Sequence, residues 1–390
     1  MADFSLYSAA FDADPFPSYR ELQENHPCFW SEEAGKWVLT RYDDVVNALN
    51  DWQTYSSAKG NLVDEFPGRA GNTLGSMDPP KHDEVRAVVQ AVFAKRNLKH
   101  LEEPIKELAR QAIGKNIGDK PVFDFAKDFA SDVTFEVLSA LLGLPDLDKD
   151  KACENALLMV QTDPVTRQKG PEHMAAFQWV KDYSSGVIAM RNAAPGEDLI
   201  SQLITAEVDG RRLDLIQVEL TVATLIMAGI ESLAGFLKMF GKNMANYPDQ
   251  RAKVVSDMSL LPDAIEESFR FNTSAQRFRR CLTRDVALHG ETMKAGDFVI
   301  LAYGAANRDP RKYPNPDSYD IGRKPKGHVG MGGGVHLCLG NAIARLAVKS
   351  AMEVFLAEIS DFTQVENDDE LEWIASSNFR SPKKLLLARA

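Results

Sequence analysis

HVGMGGGVHLCLGNAIARLAVKSAMEVFLAEI, residues 328–359, joins a glycine-rich loop to a strongly helical run, with a single cysteine, Cys338, at the joint. Gly332, Gly333, Gly334 and Gly340 lack a Cβ, so this loop can take positive φ and lie close against a large flat ligand. The pattern predicts a helix from about residue 339, whose unpaired amides and positive dipole end face back toward the sulfur. That setting favours a thiolate and makes it a soft metal ligand. No second cysteine or histidine stands at metal-cage spacing. A lone thiolate suits the fifth position on a haem iron, where the porphyrin supplies the other four ligands.

The run resembles the haem-binding signature of the cytochrome P450 family, with Gly332, Gly334, His336, Cys338 and Gly340 all on the family's spacing. Met331 stands where that family usually has phenylalanine; methionine still offers polarisable apolar bulk to cover the sulfur. The resemblance implies haem b (iron protoporphyrin IX) on Cys338, with backbone amides beyond the cysteine, that of Gly340 included, bonded to sulfur. Buried propionates need cations. In the family's places stand His82 and Arg86 of DPPKHDEVR, four apart on one helical face, Arg280 of FRRCLTRD, and His336. Glu267 and Arg270 of EESFR resemble the pair that locks to an arginine of the meander, here Arg323 of PDSYDIGR, and fixes the cysteine loop.

A second segment, LIMAGIESLAG (residues 225–235), lies within a long helical pattern running from about 214 to 246. Gly229 inside a helix costs about 1 kcal/mol relative to alanine, and close approach of a ligand would explain it, with Ala228-Gly229 as a floor for dioxygen. Glu231 and Ser232 follow as an acid–alcohol pair. The resemblance implies that such a pair relays protons during oxygen activation, the hydroxyl ordering water and the carboxyl resupplying the proton. Serine replaces the family's threonine and lacks the methyl that fixes the rotamer.

Working outward, the 390 residues carry 44% hydrophobic and 26% charged residues, as a globular protein with a substantial core does. The net charge of −11 argues against nucleic acid or anionic membranes as partners. Four scattered cysteines fit no disulfide framework and suggest the cytoplasm. The acidic N-terminus lacks a signal peptide's basic start, and the longest apolar run, residues 220–230, is about half the ~20 residues of a membrane span. Helices are predicted at 17–25 and at 43–49, the latter capped by Asp43 or Asp44, and strands at 36–41, 286–288, 298–302 and 384–387. Residues 56–76 form a long loop and 307–327 a proline-rich meander. The reading is a single unit over 1–390, mainly α with small β-sheets, with a long central helix over the haem and the cysteine helix beneath it.

The implied activity is a monooxygenase that inserts one atom of O2 into a small hydrophobic substrate, by hydroxylation or oxidative dealkylation. Alternatives are a peroxide-driven peroxygenase and a non-enzymatic haem-based binding or sensor protein. The cavity would draw on residues 56–76, 158–179, 222–233, 272–278 and 375–379, with apolar groups such as Leu62, Phe66, Leu74, Met159, Phe177, Phe278 and Phe379 and cations Lys59, Arg69, Arg277 and Arg380. Electrons would come from an iron–sulfur ferredoxin and its reductase, docking on a face bearing Lys95, Arg96, Lys99 and Arg345.

Overall fold

Asp214 opens the longest helix, Leu215–Asn246, through a reciprocal cap: its carboxylate accepts from the Gln217 amide at 2.7 Å, and the Gln217 side chain accepts from the Asp214 amide at 3.0 Å. Pro248 ends it, leaving Tyr247 as the C-cap. The computed structural model describes residues 5–95 and 98–390; Arg96, and the side chains of Lys95 and Lys99, lie outside the described residues. The run read as 220–230 is therefore part of a 32-residue helix, long and apolar enough by composition to cross a bilayer. Its apolarity is met instead by packing on helices Asp132–Leu142, Lys149–Val160 and Pro171–Ala193.

The cysteine helix spans Asn341–Glu358, two residues later than predicted, because Gly340 occupies the N-cap. It packs on helices Glu102–Ala112 and Leu261–Phe271. Phe355 on its buried face meets Phe123, Phe125, Phe129 and Phe362 mostly edge-on or tilted, at centroid separations of 4.8–6.2 Å. Helix Tyr42–Asn50 takes Arg41 as its N-cap rather than Asp43 or Asp44, which sit in the first turn where the dipole favours carboxylates.

The strands are few and short. A five-stranded sheet runs in the order Cys28–Ser31, Lys36–Leu39, Phe298–Ala302, Arg277–Leu282, Tyr55–Ser56. Alternation along Arg277–Leu282 puts Phe278 and Arg280 on the same face, and both reach the central cavity. Strand Leu386–Arg389, against the predicted 384–387, pairs with both Val122–Asp124 and Phe362–Gln364. The architecture is thus mainly helical with small sheets, as predicted.

Below the cysteine loop lies a buried ionic network. Glu267 and Arg270, both fully buried, form a two-bond pair at 2.8 and 2.6 Å, and Arg323 adds a third bond to Glu267 at 3.1 Å. Arg270 also donates to the carbonyls of Asn307, Pro316 and Ser318, so one helix holds the meander at several points. Asn307 in turn accepts from the Val329 amide at 2.7 Å, carrying the constraint to the start of the glycine loop.

Candidate active site

The loop closes on itself where the Cys338 amide donates to the Met331 carbonyl at 3.0 Å. Of the four glycines, Gly332 (φ +70°) and Gly334 (φ +59°) use the left-handed region. A Cβ on Gly334 would also overlap the Leu49 carbonyl oxygen. Gly333 is extended and Gly340 has φ −81°, both open to any residue, so the freedom expected of all four is used by two. The Gly340 amide bonds the Cys338 sulfur. Burial pushes the Cys338 thiol up, against that amide and the positive charges of Arg86 and Arg345. A helix end alone therefore does not make the thiolate, and a cation at sulfur is what completes it. Next to it, Leu337 is 42% exposed and its carbonyl accepts from Arg86 Nη2 at 2.8 Å.

Facing this loop, the long helix presents Thr224, Ala228 and Ser232, one per turn. Two adjoining cavities of about 260 and 280 Å³ lie between the walls, and Thr224, Ala228, Ser232, His336 and Cys338 line both. Gly229 lines the smaller cavity, and it has a second reason besides the one expected: a Cβ there would stand 2.7 Å from Leu138 Cδ1 of the neighbouring helix. Ser232 donates back to the Ala228 carbonyl in a close contact. Glu231 does not line either cavity. It is buried on another face of the helix, where Lys238 Nζ and Ser381 Oγ donate to its Oε1 at 3.5 and 3.4 Å.

Basic side chains gather at one edge of the slot, His82 just behind the lining. The rings of His82 and His336 meet edge-to-face at 4.7 Å, and the Nε2 of each is buried without a hydrogen-bond partner. Arg86 and Arg280 line the cavities beside them, Arg280 being buried and held by the Arg279 carbonyl at 2.8 Å. Burial, then the charges of Arg280, His82 and Arg86, push His336 down to about 2. Among the described residues, neither lining contains an aspartate or glutamate. Two orphaned ring nitrogens and two arginines without an acid fit the paired carboxylates of a porphyrin. Arg345, expected at a docking face, is half-buried and bonded to Glu266 at 2.5 and 3.0 Å, and Glu266 also bonds His328 at 2.9 Å.

The larger cavity draws on all five predicted segments. Leu62, Met159, Phe278, Phe379 and Arg69 line it, whereas Phe66 and Phe177 stack on each other at 5.1 Å outside the lining. Lys59 does not reach it, and Arg277 and Arg380 are committed to Ser376 and Asn272. Lys169 lines it and was not singled out in the sequence, where a lysine before Gly170-Pro171 looks like any turn residue.

Comparison with known proteins bears on the whole chain. The family model described as Cytochrome P450 matches residues 9–384. CYP199A2 of Rhodopseudomonas palustris is 31% identical over 347 residues, covering 87% of this chain and 83% of its own. The structure of CYP109Q5 from Chondromyces apiculatus aligns with a TM-score of 0.89 at 28% identity, over 100% of this chain and 98% of that one. CYP109E1 from Bacillus megaterium, in complex with testosterone, aligns with a TM-score of 0.89 at 26% identity, over 98% and 99%. The family match over residues 9–384 and the likeness to these relatives agree with the site: the chain belongs to the cytochrome P450 family and is a haem-thiolate monooxygenase that carries haem b, activates O2 on a small substrate and draws electrons from redox partners.

Proposed function

We propose that this monooxygenase hydroxylates or oxidatively dealkylates a small hydrophobic compound in the cytoplasm, with electrons from an iron–sulfur ferredoxin and its reductase. The observation that carries this reading is the shared wall: Cys338 and Ser232 line the same two cavities, one of which opens into an apolar chamber. The complex of CYP109E1 with testosterone supports a hydrophobic occupant for such a chamber.

Bound haem supplies the one-electron and oxygen chemistry that side chains lack. Cys338 is its ligand, and the Gly340 amide tempers electron donation from sulfur. His82, Arg86, Arg280 and His336 hold the propionates, while Met331 and Gly332 lie along the wall beside the cysteine. Ala228 and Gly229 keep the opposing wall low. The Ser232 hydroxyl, released from the Ala228 carbonyl, orders water there. Glu231 resupplies the proton from behind that wall. Ser381 donates to Glu231 and Ser274 donates to the Ser232 carbonyl at 3.4 Å, both beside Gly235, and water between them would complete a path from acid to cavity. The exposed Leu337, one residue from the ligand, and the cations Lys95, Arg96 and Lys99 suit an acidic electron carrier.

The test is spectroscopic, then kinetic. The reduced carbon monoxide adduct should show the red-shifted band of a thiolate-ligated haem, and Cys338→Ser should abolish it. Product should form with reductase, ferredoxin and nicotinamide. Turnover with peroxide alone would indicate a peroxygenase, and turnover with neither a binding protein.

A further inference from the structure

The cations lining the two cavities fall into two groups. Arg86 and Arg280 stand beside the neutral His336, in the set that fits the porphyrin carboxylates. Lys169 feels Asp64, Glu65 and Arg69 instead, and with Arg69 it lines only the larger cavity. This second group has no counterpart in the haem.

Lys169 follows the C-terminus of helix Lys149–Val160, and its Nζ donates to the Met159 carbonyl at 2.8 Å and, more closely, to that of Gln161. Those carbonyls lack helical partners, so the lysine caps the helix. Capping uses two of three ammonium hydrogens. Among the described residues no carboxylate forms an ion pair with it, and its Nζ also lies over the Phe66 ring, 4.7 Å from the centroid. Burial pushes the ammonium down to about 8, with Asp64 and Glu65 opposing and Arg69 assisting. Arg69 is 3% exposed; its Nη1 binds Glu65 and Asn61, and its Nε is buried without a partner. Lys36, Arg69, Lys169 and Arg279 share two acids, Asp64 and Glu65. Excess positive charge at the wall of an apolar chamber is costly unless an anion meets it.

We infer that the substrate carries a carboxylate at one end of a hydrophobic body, the carboxylate meeting Lys169 Nζ and Arg69 Nε and the body lying along Leu62, Met159, Phe278 and Phe379 toward the haem slot. Two donors with hydrogens to spare match the two oxygens of one carboxylate. The inference rests on the monooxygenase reading for what then happens to that body, but not for the binding.

The test uses holoenzyme and calorimetry with matched probes, decanoate against decanol and para-butylbenzoate against para-butylbenzyl alcohol. At least one acid should bind ~10-fold or more tightly than its alcohol. Lys169→Met should bring acid and alcohol to within ~2-fold of each other while alcohol affinity holds, and Lys169→Arg should keep the preference. Equal binding of acids and alcohols to the unmodified protein, failure of both acids to bind, or an equal loss for acid and alcohol in Lys169→Met would overturn it. Calorimetry reads binding alone, so acid preference stands or falls whatever the carbonyl spectrum says of Cys338.

Discussion

Ser232 stands where the family resemblance implies a threonine. Its hydroxyl is drawn to the Ala228 carbonyl, and without a γ-methyl nothing holds it toward the cavity. Ser232→Ala is expected to lower the fraction of reductant that ends in product, and Ser232→Thr to preserve or raise it. Product formed per nicotinamide oxidised measures this, and equal coupling in all three proteins would remove Ser232 from proton delivery. His336→Phe keeps the ring against His82 but removes the buried, unpartnered nitrogen proposed to hold a propionate, so haem should pass to a haem scavenger about 10-fold faster. Cys338, His336 and the His82–Arg86 spacing are legible in sequence because each is fixed by short-range order along one loop or helix. Lys238, Ser381 and Lys169 are not. The contacts of Lys238 and Ser381 with Glu231 depend on which way the helix is rotated and on a segment 150 residues away, and Lys169 reaches the cavity only through the fold.

At the scale of elements, Gly229 and Leu138 record how two helices come close enough to frame the slot. Gly229→Ala should destabilise by about 1 kcal/mol, since overpacking of ~1–3 kcal/mol exceeds the helix-propensity gain of ~1 kcal/mol. In a Leu138→Ala background the same substitution should become stabilising, and paired thermal melts read the change of sign. Breaking the Glu267–Arg270 pair with Glu267→Gln leaves a fully buried guanidinium uncompensated, at about 3–5 kcal/mol. Haem loading and melting temperature should fall together. The long helix was readable because Asp214, Gln217 and Pro248 mark both its ends within the sequence. The displaced C-terminal strand was not, because its register is set by pairing with Val122–Asp124 far away in the chain. Arg277–Leu282 is obscured by three arginines, two of which, Arg277 and Arg280, are buried for reasons only the fold explains.

Across the whole molecule, the Glu266 clamp ties the helix Leu261–Phe271 to the cysteine helix through Arg345 and to the glycine loop through His328. Burial pushes the Glu266 carboxyl up, but the hydrogen bonds and charges of His328 and Arg345 outweigh it and hold the group at about 2. A carboxyl lowered on folding stabilises above its ordinary 4.5, and that stability is lost as pH falls toward about 2. Acid titration of unfolding should therefore be flatter across this window in Glu266→Gln, by about 1–2 kcal/mol given partial exposure. The mount beneath the sulfur is fixed at Glu267, Arg270, Arg323 and the Gly334–Leu49 contact. The chamber's far wall, by contrast, comes partly from irregular stretches around Asn61, Arg69 and Lys169. Evolution, or a directed library, can therefore vary what the enzyme accepts without retuning its redox centre, because the two halves of the machine are written in different parts of the chain.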